Sequence, residues 1–123
     1  MDASYPTRGQ LERSLSQRIQ ALYRTRLEHQ PSRVTCQIFD EKIVIVLEES
    51  ITQAEQLLVE SGQGELAEQV RSELDAALQP ELKALIEEIA GVTVVDILSD
   101  AKLETGRTAT VAILANPPQV RNL

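Results

Sequence analysis

Tryptophan is absent from this chain, and two tyrosines and one phenylalanine are its only aromatic residues. A core of this composition must be filled by Leu, Ile, Val and Ala. Single-stranded nucleic acid also finds no row of aromatic platforms on which to stack. The single cysteine, Cys36, excludes an internal disulfide and fits a reducing cytoplasm. The single histidine, His29, leaves no imidazole pair for a metal; near the end of the first helix it suits a cation or hydrogen-bond donor at the negative helix terminus. No apolar run approaches the ~18 residues of a membrane span, and the N-terminus lacks a signal-peptide core. Any contact with a membrane is therefore expected through a partner or a surface. Positive charge is scarce, with 12 Lys and Arg against 19 Asp and Glu, a net of -7. That balance argues against nucleic acid as a main partner, because phosphate binding needs clustered cations.

Chemical motifs are missing too. There is no Walker loop, no Gly-rich dinucleotide turn and no metal-spaced His/Cys set. No cofactor is implied, and the chain reads as a non-enzyme. Cys36 sits in an alternating apolar pattern, which favours a buried inert thiol over a nucleophile.

What is present is a long amphipathic helix. Leu66, Val70, Leu74, Ala77, Leu78, Leu82, Leu85 and Ile89 recur at steps of three and four and form one apolar stripe. Pro80 interrupts it, so a kink or two abutting helices are expected. Gly91 ends it, and Val92, Val94, Val95, Ile97 and Leu98 then read as a strand. Earlier, Thr7 and Gln10 have capping-box spacing for a first helix carrying Leu11, Leu15, Ile19, Leu22 and Tyr23, closed by Pro31. Val34, Cys36 and Ile38 alternate with Thr35 and Gln37 in a half-buried strand. Asp40 and Glu41 make a turn into a strand whose run Ile43 to Leu47 is apolar throughout, as expected of a central or doubly covered strand. Thr52 and Glu55 form a second capping box, opening a short helix with Ala54, Leu57 and Leu58. Residues 61–64 break it, and the long helix begins near Glu65. After the strand at 92–99, a polar loop from Asp100 to Arg107 leads to a last strand, Thr108 to Leu114, which Asn116, Pro117 and Pro118 terminate.

The order α-β-β-α(α)-β-β predicts an α+β two-layer sandwich, a four-stranded antiparallel sheet with long helices on one face. Residues 1–123 form a single domain, with 1–6 and 116–123 as flexible tails. Charge is uneven along it: residues 1–33 hold six Arg against Asp2, Glu12 and Glu28, a net of +3, and the remainder has a net of -10. A solvated first helix explains this; a basic face meeting an acidic partner or lipid surface is the sharper reading. Glu81 and Glu88 drift onto the apolar stripe, either as exposed or helix-end acids or as buried or interface pairs. The 100–107 loop is either turn chemistry alone or a binding loop on a rigid scaffold.

The ordered set of a Thr52-Gln53-Ala54-Glu55 cap, a glycine break, VRSELDAALQPELKALIEEIAG, VTVVDILSD and a Thr105-Gly106 loop resembles a known family. It is similar to the MpsC-like proteins, component C of the Na+-translocating membrane-potential-generating system, first catalogued as a family of unknown function. Arg71, Pro80, Glu81, Leu82, Ile86, Gly91, Val94, Ser99, Asp100, Thr105 and Gly106 carry the resemblance, which covers most of residues 10–115. The last strand departs from it with the small residues Ala109 and Ala112. The resemblance implies a cytoplasmic accessory protein associated with cation or inorganic-carbon transport, and brings no catalytic residues. A small-molecule or anion sensor is the alternative. The residues singled out for interaction or ligand binding are Arg18, Arg24 and Arg26 of the first helix, with Arg71, Asp100, Thr105 and Arg107.

Self-association is the last expectation. The sheet has apolar groups on both faces, and the long helices cover one. A homodimer would cover the other, by stacking or by edge-strand pairing. The competing reading folds the short helix at 52–60 under the sheet within one chain.

Overall fold

The computed structural model describes residues 4–121. Its elements are α1 (Arg8–Leu27), β1 (Arg33–Phe39), β2 (Lys42–Glu48), α2 (Gln53–Glu60), α3 (Gly64–Ala90), β3 (Val94–Lys102) and β4 (Arg107–Leu114). The strands form one antiparallel sheet in the order β1-β2-β4-β3, so β2 is central as its apolar run implies. The α+β class and element order are those predicted.

Both capping boxes form. Thr7 Oγ1 accepts from the Gln10 amide at 3.1 Å while Gln10 Oε1 accepts from the Thr7 amide at 2.8 Å, satisfying two orphan donors of α1. α1 ends at Leu27, earlier than Pro31 alone would require, because Glu28 adopts the left-handed conformation of a C-cap. His29 thus lies beyond the last turn, where its Nε2 donates to the Glu49 carbonyl at 2.7 Å and ties the segment to the end of β2. Gly91 caps α3 with φ 72, as expected.

α1 and the C-terminal half of α3 cover one face of the sheet. Leu11, Leu15 and Ile19 meet Leu78, Leu82 and Ile86 above Cys36, Ile43, Ile45, Leu47 and Ala112. Burying an aliphatic side chain stabilises by roughly 1.5–3 kcal/mol, so this cluster dominates the fold.

Four expectations need correction, and one open alternative is resolved: α3 is one helix through Pro80 rather than two abutting ones. Both Pro80 and Ala76 lie exposed, so the carbonyl left without its donor faces water, while Leu78 and Leu82 hold the flanking turns in the core. The apolar stripe of α3 is shifted in its first half: Ala67 and Arg71 are buried while Leu66 and Ala77 are exposed, because that half packs on α2 rather than on the sheet. β3 continues to Lys102, which places Asp100 in a strand and shortens the loop to 103–106. α2 packs on α3 alone and does not fold under the sheet. The segment 116–121 carries no helix or strand, yet Pro118 is buried, Val120 packs against the core and the Arg121 amide donates to the Pro6 carbonyl at 2.8 Å. Residues 1–3 and 122–123 of the expected tails lie outside the described residues.

Candidate functional site

α2 is an amphipathic helix of an unusual kind, since its one buried residue is a glutamate and Leu57 is left exposed. The capping box begins the arrangement. Thr52 donates from both its amide (3.1 Å) and its hydroxyl (2.8 Å) to Glu55 Oε1, orienting the carboxylate inward. Arg71 of α3 meets it with a two-pronged contact, Nε to Oε2 at 2.8 Å and Nη2 to Oε1 at 2.6 Å. Nη2 also donates to the Ser50 carbonyl at 2.9 Å, and Nη1 to Asp75 Oδ1, one turn along α3, at 3.2 Å. Ser50 in turn donates its amide to the Gly106 carbonyl at 2.8 Å, and its Oγ lies 2.7 Å from Thr108 Oγ1. One guanidinium therefore fastens α2, α3 and the end of β2, and through Ser50 the β3–β4 turn.

Taking two charges out of water costs several kcal/mol per ion, and excellent geometry offsets it. Burial pushes the Arg71 pKa down, but the hydrogen bond and charge of Glu55 outweigh it, so the guanidinium is held above its ordinary range. Burial raises the Asp75 carboxyl above its usual range, only partly opposed by Arg71. The neighbouring Tyr23 hydroxyl is pushed up to about 12, by burial first and then by Asp75.

Beside this network lies a cleft of about 790 Å3 between the first half of α3 and the β3–β4 hairpin. Arg71, Ser72, Asp75 and Gln79 form one wall; Ser99 to Glu104 and Arg107 form the other. A smaller hollow of about 440 Å3 continues it along α3 to Val94–Ile97. Of the residues singled out from sequence, the cleft gathers Arg71, Asp100 and Arg107. Thr105 sits on the turn, its hydroxyl donating to the Lys102 carbonyl at 3.3 Å. Arg18, Arg24 and Arg26 are elsewhere, on α1: Arg18 pairs with Glu88 at 3.1 Å, Arg26 with Glu81 at 2.8 Å, and Arg24 Nη1 reaches Gln30 Oε1 at 3.4 Å. The basic first helix thus finds acidic partners on α3, and Glu81 and Glu88 acquire a role as interhelical pairs. Arg107 is likewise engaged, with Glu48 at 2.7 Å.

Sequence reasoning missed Glu55 as a buried anion, together with Asp75 and Ser50. A signal was available in Arg71, which lies four residues from Ala67 and seven from Leu78. A cation in that phase implies a buried acid nearby.

Among the described residues no group of acids, His and Cys is arranged to hold a metal ion, and no helix is long and apolar enough to cross a membrane. Cys36 is buried, and burial first of all pushes its thiol up to about 11.

Fold and site together define a small α+β domain whose buried ion pair stiffens one wall of an open helix–sheet cleft. The family described as Na+-translocating membrane potential-generating system (MpsC) matches residues 7–116, and the chain belongs to that family. No curated protein and no solved structure matches it.

Proposed function

We propose that the chain is a non-enzymatic accessory protein of a membrane cation or inorganic-carbon transport system, working on the cytoplasmic side as a homodimer. Membership of the MpsC family over residues 7–116 carries this reading. The network around Arg71 supports it, because the cation best placed in the cleft spends its donors on Glu55, Ser50 and Asp75 and so builds a rigid wall. What remains to offer a partner is surface: the cleft, and the sheet face opposite the helices. The test is affinity capture of the tagged chain from native membranes after mild cross-linking. Membrane-dependent recovery of cation- or inorganic-carbon-transport subunits is expected; recovery of none, with equal yields from membrane and cytosolic fractions, sinks the reading.

The cleft itself favours a second reading, small-molecule or anion sensing, since its size suits a metabolite and Lys102 and Arg107 stand on its rim. A ligand that binds only the native state raises the melting temperature by mass action. A thermal-shift screen with bicarbonate, nucleotides and small carboxylates that stays flat removes this alternative.

A further inference from the structure

Charge, and not apolar packing, holds α2. Its eight residues pack on α3 alone, and the single side chain it buries is Glu55. Its apolar residues do not anchor it: Leu57 is 63% exposed, Val59 is 42% exposed and Leu58 is half-buried. On the first half of α3, which it covers, only Ala67 and Arg71 are buried. α1, by contrast, sinks Leu11, Leu15, Ile19 and Tyr23 into the core. Helices shorter than roughly 12–15 residues do not sustain themselves in water, because the nucleating turn costs more than so few hydrogen bonds return. The contact of Glu55 with Arg71, at 2.8 and 2.6 Å, is what keeps α2 in place.

Both flanks of the helix are fastened without it. Upstream, Ile51 is buried, the Ser50 amide donates to the Gly106 carbonyl, and the Ser50 hydroxyl meets that of Thr108. Downstream, α3 starts at Gly64, just beyond Gly62, whose φ of 81 is a conformation that glycine adopts freely. Residues 52–63 are thus a strap between two fixed points. The bonds that close α2, from the Ser61, Gly62 and Gln63 amides to the Leu57, Val59 and Leu58 carbonyls, lie inside the strap and do not oppose its lifting.

Arg71 keeps its position without the strap. Nη2 donates to the Ser50 carbonyl at 2.9 Å and Nη1 to Asp75 at 3.2 Å, and neither partner belongs to the strap. With α2 down, four of the five guanidinium N–H donors are spent on these bonds and on Glu55. Lifting α2 frees the two that held Glu55, one on Nε and one on Nη2. They lie side by side in the fork that matches the two oxygens of a planar carboxylate. We infer that α2 is a releasable strap latched by the Glu55–Arg71 pair, and that Glu55 is a built-in occupant of a carboxylate-binding fork uncovered beside the cleft when the strap lifts. The contact is autoinhibitory, since the fork takes an outside carboxylate only when its own is withdrawn. The apparent affinity for that ligand is reduced to the fraction of molecules with the strap raised, and whatever holds the strap up restores it. This goes beyond the sensing reading above, which concerns the closed cleft.

The experiment is native-state hydrogen exchange on the full chain at neutral pH, with wild type, Ile19→Val and Glu55→Gln each checked for folding by circular dichroism. The Gln56 to Ser61 amides report the strap, and the Ile43 to Leu47 amides of the central strand report global unfolding. In wild type the strap is expected to exchange about a hundredfold faster than β2, because it opens without the core. Ile19→Val removes a buried carbon from α1 and is expected to speed β2 roughly two- to tenfold while leaving the strap unchanged, because the lifted form keeps that contact. Glu55→Gln weakens the latch and is expected to speed the strap about tenfold or more. Equal exchange of strap and β2 in wild type, or equal acceleration of both in Ile19→Val, means that α2 leaves only when the molecule unfolds and overturns the proposal. These two comparisons decide the strap even if Glu55→Gln does not fold. A folded Glu55→Gln chain whose strap is no faster than wild type overturns the latch. Formate probes the fork. In about 0.3 M sodium formate, against sodium chloride of equal strength, strap exchange in wild type is expected to rise about twofold or more with β2 unchanged. Identical strap rates in the two salts overturn the carboxylate site. A flat thermal-shift screen bears on the closed cleft alone and leaves each of these outcomes as it stands.

Discussion

Replacing Glu55 by Gln keeps the volume of the buried side chain and removes its charge. The Arg71 side chain is 4% exposed and that of Glu55 is 0%, so the guanidinium cannot turn to water without pulling α3 from α2. Asp75 and the Ser50 carbonyl remain as partners, but neither replaces the two-pronged contact at 2.6 and 2.8 Å. Breaking one side of a buried pair costs about 3–5 kcal/mol. A domain of 123 residues has roughly 6–18 kcal/mol of stability in all, so the loss is a large fraction of it. In melting temperature it corresponds to a fall of about 12–20 °C. The comparison that isolates the mechanism is the double replacement Glu55→Leu with Arg71→Met, which removes both charges of the pair and leaves the Thr52 and Ser50 groups and the Asp75 carboxyl short of the partners they had, at about 1–3 kcal/mol for each buried group. Urea unfolding followed by far-ultraviolet circular dichroism on wild type, both single variants and the double gives the coupling energy, expected to exceed about 2 kcal/mol. A Glu55→Gln cost below about 1 kcal/mol, or strictly additive single costs, refutes the reasoning that the pair is a closed, water-free lock.

Asp75→Asn tests the carboxyl beside that lock. The folded-state pKa of Asp75 is raised above 3.8, so the native state binds this proton more tightly than the unfolded chain and its contribution to stability falls as pH rises from about 4 through the raised value. The Asn variant is expected to gain on wild type between pH 4 and pH 7 in urea titrations; a difference that does not move with pH contradicts the assignment. Arg26→Ala removes an exposed interhelical pair whose partners are 56% and 41% exposed, so its cost is expected below about 1 kcal/mol and to shrink further at high salt. A cost equal to that of Arg71→Met would be incompatible with the contrast drawn between buried and surface pairs. Cys36, buried with its thiol pushed up to about 11, is expected to react with an aromatic disulfide reagent at pH 8 only as fast as the fold opens. Immediate stoichiometric labelling of the native protein would show that the β1 face is not closed.

The local instructions were written plainly in the chain. Thr7 with Gln10, and Thr52 with Glu55, name helix starts because a capping box is satisfied within four residues. Gly91 names a helix end because only its neighbouring backbone conformation matters. The alternation of β1 marks a half-buried strand and the unbroken apolar run of β2 a central or doubly covered one, since side-chain period and burial are properties of a strand and its sheet; the strand order itself is tertiary. Those signals were enough for the α+β class and for the family pattern. Contacts distant in sequence were another matter. That Pro80 leaves α3 unbroken depends on Leu78 and Leu82 being held by a core assembled from α1 and the sheet. That Glu55 is buried rather than solvated depends on Arg71, 16 residues away, arriving from the next helix. Arg18 and Arg26 looked like a basic face until α3 brought Glu88 and Glu81 against them across 70 and 55 residues. The reach of β3 to Lys102, which moves Asp100 from a loop into a strand, is set by eight residues of β4 lying beside it. Propensity, capping and periodicity act within a turn or two and can be read in order along a chain. The partner of a buried charge, and the face a helix leaves uncovered, exist only once elements far apart in sequence have closed on one another.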